Sequence, residues 1–66
     1  MRLIVNGEEK VFEATGNLAG LIAHLGVDER KVAVEHNLAI VPRSFWPATS
    51  LAEGDRIEIV HFVGGG

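Results

Sequence analysis

The run Arg-Ile-Glu-Ile-Val-His-Phe-Val at 56–63 constrains the fold more than any other stretch of the chain. It is the longest strand signal, and toward its end it is apolar on both faces, through Ile57 and Ile59 and then Val60, Phe62 and Val63. A strand with two apolar faces belongs in the middle of a sheet rather than at its rim. With 66 residues there is material for one domain, residues 1–66, and one small core. A last strand that is central in so short a chain has to lie beside the first. Whatever follows it then leaves the sheet as a projection.

The remaining segments fit around that strand. "RLIVNGEEKVFE" at 2–13 reads as a hairpin turning at Asn6-Gly7, the pair suited to a turn in which both residues need positive φ. Alternation puts Leu3 and Val5 on one face and Arg2 and Ile4 on the other, while a tight register makes Lys10 share the inner side with Phe12 and snorkel at an edge. A helix follows, with Asn17 as its N-cap, Gly26 as its terminating glycine, and an apolar stripe of Leu18, Leu21, Ile22 and Leu25. "KVAVEHN" and "AIVP" are short strands, the second ended by Pro42. Between them and the last strand, "RSFWPATSLAEGD" is irregular, with a helical turn expected to open at Ser44 and stop at Pro47, and a turn at Gly54-Asp55. The order is strand, strand, helix, strand, strand, strand, in which one amphipathic helix covers one face of the sheet.

Composition narrows the function. There is no Cys, which removes disulfides, thiolate metal sites and a catalytic thiol together. Net charge is -3, and Arg2, Lys10, Arg30, Lys31, Arg43 and Arg56 are scattered, so the concentrated positive face that nucleic acid requires is missing. No apolar run approaches ~18 residues and no basic-plus-apolar leader opens the chain, so the expectation is a soluble, cytoplasmic protein without a membrane partner. His24, His36 and His61 fall on the helix and on two separate strands without ligand spacing, and read as unrelated imidazoles rather than a metal site. Glu8-Glu9 and Asp28-Glu29 read as solvated turn and helix-end acids, and "GVDERK" as a solvated loop. Without an activated nucleophile the domain is expected not to be an enzyme.

The chain finishes on Gly64, Gly65 and Gly66, residues that pack nothing and lose the most backbone entropy on ordering. They are either a floppy end or linker, or an arm whose terminal carboxylate is the working group. Close by, alternation leaves Ile4, Val60 and Phe62 on the face opposite the helix, where they form a candidate docking surface beside that arm. Phe45 and Trp46 offer an aromatic anchor for the irregular segment or a partner contact. Arg43 either satisfies local carbonyls or pairs with an acid on a partner.

Three segments carry a resemblance across the whole length: "VNGE" at 5–8, "IVPRSFW" at 40–46 and "GDRIEIVHFVGGG" at 54–66. Together and in this order they resemble the ThiS-type sulfur carriers of thiamine biosynthesis, a ubiquitin-like β-grasp family. The resemblance implies an α+β fold: a mixed sheet of four to five strands, one main helix on one face, and a flexible glycine tail at 64–66. It further implies that an adenylating, E1-like activating enzyme uses ATP on the Gly66 carboxyl, and that a sulfur donor such as a cysteine desulfurase turns the acyl-adenylate into a thiocarboxylate. Thiazole synthase would then accept the sulfur. The carrier itself would bind no cofactor and would be a monomer when free. A molybdopterin-type sulfur carrier shares the fold and tail, and a ubiquitin-like interaction or modifier domain is the other alternative. The sequence departs from the family where Asn37-Leu38 replaces the usual Asn-Gly after the third strand, which puts that turn in question.

Overall fold

A computed structural model of the chain describes residues 1–13 and 16–62. Its elements are β1 (Arg2–Val5), β2 (Glu8–Val11), α1 (Leu18–Leu25), β3 (Val32–His36), β4 (Ala39–Ile40) and β5 (Arg56–His61), with 3₁₀ turns at Glu29–Lys31 and Arg43–Ala48. They form one five-stranded sheet in the order β2-β1-β5-β3-β4. The last strand is the middle one, parallel to β1 and antiparallel to β3. The expected continuation of this strand to Val63 lies outside the described residues.

Each half of the sheet is a hairpin closed by two residues at positive φ. In the first, Val5 faces Glu8, with Asn6 at φ 50° and Gly7 at φ 80°. Both values suit a type I′ turn, whose twist matches the strands it joins. Lys10 pairs with Leu3 as the tight register requires, and stays exposed with its ammonium 3.8 Å from Glu8. In the second hairpin His36 faces Ala39, with Asn37 at φ 49° and Leu38 at φ 74°. The turn is therefore kept even though leucine replaces glycine, and Leu38 holds a left-handed backbone that a side chain disfavours.

The two asparagines do more than turn the chain. Asn6 Oδ1 accepts the Ile59 N–H at 2.7 Å, just past the point where β1 stops pairing with β5. Asn37 Oδ1 accepts the Arg56 N–H at 2.9 Å from the opposite side. Each supplies an acceptor where the neighbouring strand has ended, so β5 is held from both flanks by turn side chains.

The core lies between the sheet and α1. Leu3, Val5, Val32, Val34, Ile57 and Ile59 from the strands meet Leu18, Leu21 and Ile22 from the helix, closed by Phe12, Trp46 and Leu51. The helix begins and ends where its capping residues dictate. Asn17 Oδ1 accepts the Gly20 N–H at 2.8 Å, and Gly26 adopts the left-handed conformation at φ 73°.

The irregular segment differs from expectation. Its 3₁₀ turn starts at Arg43, directly after Pro42, and runs through Pro47 to Ala48 instead of opening at Ser44 and stopping at Pro47. Proline's φ near −65° matches 3₁₀ geometry, and in so short a piece its missing N–H removes one bond without breaking the turn. Trp46 is buried and anchors the segment by donating its indole N–H to the Val41 carbonyl at 2.9 Å, whereas Phe45 is exposed. The charged stretch Asp28–Lys31 is exposed as expected, its 3₁₀ turn capped by Asp28.

Candidate functional site

The last described residues of β5 build the site. Ile57 and Ile59 point into the core, so Glu58, Val60 and Phe62 share the outer face, away from α1. Val60 and Phe62 remain 54% and 56% exposed, a large apolar area to leave in water on a small domain. The Phe62 N–H still donates to the Lys31 carbonyl at 2.8 Å. The chain is thus held to the turn that precedes β3 as far as Phe62, the last residue described at this end. Gly64, Gly65 and Gly66, with the flexibility expected of them, lie outside the described residues.

Register decides which of the expected docking residues stand together. Val60 is opposite Ala33, and Phe62 follows two residues later on the same face. Ile4 shares that face but pairs with Arg56, four residues and so about 13 Å before Val60. It is half-buried and stands at the other end of the strand. Arg43 is not on the sheet. It is exposed at the start of the 3₁₀ turn that packs against α1. Three exposed apolar residues escape the sequence reading: Val11 on β2, Ile40 on β4, opposite Glu35, and Leu38 in the preceding turn. The alternation of β4 was too short to place Ile40, although its pairing with β3 puts it on the outer face.

The titratable groups cluster at the opposite end of β5. His36 Nε2 lies 2.7 Å from Asp55 Oδ2, and the same oxygen accepts the Ala52 N–H at 2.9 Å. Asp55 Oδ1 accepts from the Asn37 amide at 3.1 Å. Burial pushes the Asp55 carboxyl up, but the bonds from His36, Ala52 and Asn37 outweigh it and hold the group below its ordinary value. A carboxylate so fully engaged with its own turn fixes the entry to β5. His24 and Phe12 stack edge to face, with centroids 5.7 Å apart, and His61 ends β5 in an exposed position. Among the described residues no group of three or more His, Asp or Glu gathers as a metal site. Nor is any described helix long and apolar enough to cross a membrane.

A five-stranded mixed sheet grasping one helix, with the last strand central and aimed outward, defines a ubiquitin-like β-grasp domain. The ThiS family model matches residues 1–66, and the chain belongs to the ThiS family. It is 38% identical to the sulfur carrier protein ThiS of Bacillus subtilis, over 97% of this chain and 98% of that one. It is 52% identical, over its full length, to part of a thiazole synthase of Paramagnetospirillum magneticum, of which it spans only 20%. Among solved structures, the thiamine biosynthesis protein (ThiS) of Geobacter metallireducens superposes with a TM-score of 0.84 at 33% identity, each chain covered completely.

Proposed function

We propose that this chain is the sulfur carrier of thiamine biosynthesis, with the carboxyl of Gly66 as the atom group that is modified. The observation that carries the reading is the family match over all 66 residues, joined to a fold in which the chain up to Phe62 forms a central, well-anchored strand.

A carboxylate is a resonance-stabilised anion and resists nucleophiles, so it has to be activated first. In this reading a carboxylate oxygen of Gly66 attacks the α-phosphorus of ATP on an adenylating enzyme, pyrophosphate leaves, and an acyl-adenylate results. The terminal sulfur of a persulfide on a donor such as a cysteine desulfurase then attacks the acyl carbon and AMP departs, leaving an acyl disulfide. A second thiol breaks its S–S bond as it forms a new disulfide with the donor sulfur. The thiocarboxylate that remains delivers sulfur to thiazole synthase. Glycine at 64–66 suits both steps, because a chain without Cβ threads a narrow channel and leaves its carbonyl open to attack. Ordering that segment costs about 1–2 kcal/mol per residue, which favours reversible docking. The chain acts as a co-substrate in the cytoplasm and binds no cofactor of its own, ATP being held by the activating enzyme.

The test is intact-protein mass spectrometry after incubation with ATP, the cognate activating enzyme and a sulfur source. Exchange of one oxygen for sulfur is expected on the wild-type chain. Deleting Gly66 shortens the arm by about 3.3–3.6 Å, and adenylation should fall by orders of magnitude, because in-line chemistry tolerates ~1 Å errors poorly. Normal thiocarboxylate on the shortened chain defeats the mechanism. A chain that never exchanges oxygen for sulfur but becomes linked to lysines supports the modifier alternative instead.

A further inference from the structure

The outer face contains one arrangement that works against the fold. Register sets Glu35 directly across from Glu58, where opposed β-carbons stand about 4.5–5.5 Å apart. Both residues are half-buried, and like charges in this relation weaken a sheet. The ion pairs of the described residues lie elsewhere: Arg2 with Glu9 and Glu53, Lys10 with Glu8, Arg30 with Asp28, and His36 with Asp55. Arg56 precedes Glu58 by two residues on the same face and joins none of them. The two carboxylates are bordered by exposed apolar side chains, Val60 along β5 and Ile40 across β4.

We infer that Glu35 and Glu58 together receive an arginine side chain of thiazole synthase, with Val60 and Ile40 closing over the contact. The inference rests on the carrier reading and adds to it the chemistry of the partner surface. Two carboxylates in an apolar surround suit a planar guanidinium, which offers five donors and is weakly hydrated, better than a compact and strongly hydrated ammonium. Thiazole synthase is the occupant because a relative 52% identical over the full chain is a stretch of such an enzyme's own polypeptide. On docking, the guanidinium is attracted to both carboxylates at once, and this attraction offsets the repulsion that burdens the free domain.

Binding of the full chain to thiazole synthase from the same source, at two salt concentrations and beside thermal melts, tests this. The Glu35→Gln, Glu58→Gln double variant should melt at or above wild type, bind at least about tenfold more weakly, and lose salt dependence. Glu58→Lys should melt higher still, through a cross-strand pair with Glu35, yet bind more weakly than the double variant. Unchanged affinity in the double variant overturns the inference, as does an affinity loss that merely follows a fall in melting temperature. A wild-type chain that gains sulfur but has no affinity for the synthase overturns it too. If instead the double variant binds weakly as expected while the wild type never gains sulfur, the carrier reading fails and the docking inference stands.

Discussion

Asn6 is the side chain whose removal should reveal most about how the sheet is held. It sits at φ 50° in the first turn and its Oδ1 takes the part-buried Ile59 N–H at 2.7 Å. Asn6→Ala removes the acceptor, and leaving a buried donor without a partner costs about 1–3 kcal/mol. Alanine also tolerates the left-handed backbone less well, adding about 1 kcal/mol. The sum, about 2–4 kcal/mol, is a large part of the roughly 3–10 kcal/mol that a 66-residue domain possesses. In a thermal melt this is a fall of roughly 10–30 °C. Asn6→Gly separates the terms, since glycine accepts the backbone and loses only the hydrogen bond, so it should fall between alanine and wild type. Asn6→Asp keeps an acceptor and should melt nearest to wild type. Hydrogen exchange at the Ile59 amide should accelerate in the alanine and glycine variants alone. A glycine variant that melts with wild type and leaves Ile59 protected refutes the idea that this side chain extends the β1 side of β5.

Leu38→Gly should stabilise the domain by about 1 kcal/mol, raising the melting temperature by about 4–8 °C, because it relieves φ 74° at an exposed leucine. A lower melting temperature would show that Leu38 contributes packing. Asp55 is held below its ordinary carboxyl value, so its contribution to stability is present above that value and is lost as pH falls through the depressed folded one. Urea melts across about pH 3–7 should show wild type weakening below about pH 4, and Asp55→Asn should be less stable at neutrality with a shallower acid slope. Phe62→Ala should weaken docking to thiazole synthase with only a small change in melting temperature, given that the ring is more than half exposed. A large loss of stability with unchanged binding would place Phe62 in the core.

What the sequence discloses is what local chemistry decides. Asn17 and Gly26 mark the helix because capping involves residues within one turn of each other. Asn6-Gly7 marks the hairpin because two positive φ values suffice to reverse the chain. The two-sided apolar character of 56–63 discloses the central strand. What stays hidden depends on register between distant segments. Glu35 and Glu58 look like ordinary surface acids until β3 is laid against β5. Ile4 belongs to the expected face, but its distance from Val60 is set by where β1 runs alongside β5. Leu38 stands in a left-handed turn whose first residue, Asn37, is bonded to Asp55 and Arg56, nearly twenty positions away. Pro47 reads as a stop signal because proline ends α-helices, whereas 3₁₀ geometry accommodates it.

The position of β5 also governs when the molecule comes into being during synthesis. The β1–β2 and β3–β4 hairpins are made first, yet each enters the sheet only through β5, which is translated last of the strands. A nascent chain that stops before Arg56 has two hairpins and a helix with nothing to join them, and such open chains are what cellular proteases remove. Translation reaches the residues of the proposed arm only after it has supplied the strand that closes the sheet. A copy folded well enough to dock is therefore one on which synthesis has already passed through β5, and interrupted copies would not compete for the proposed partners.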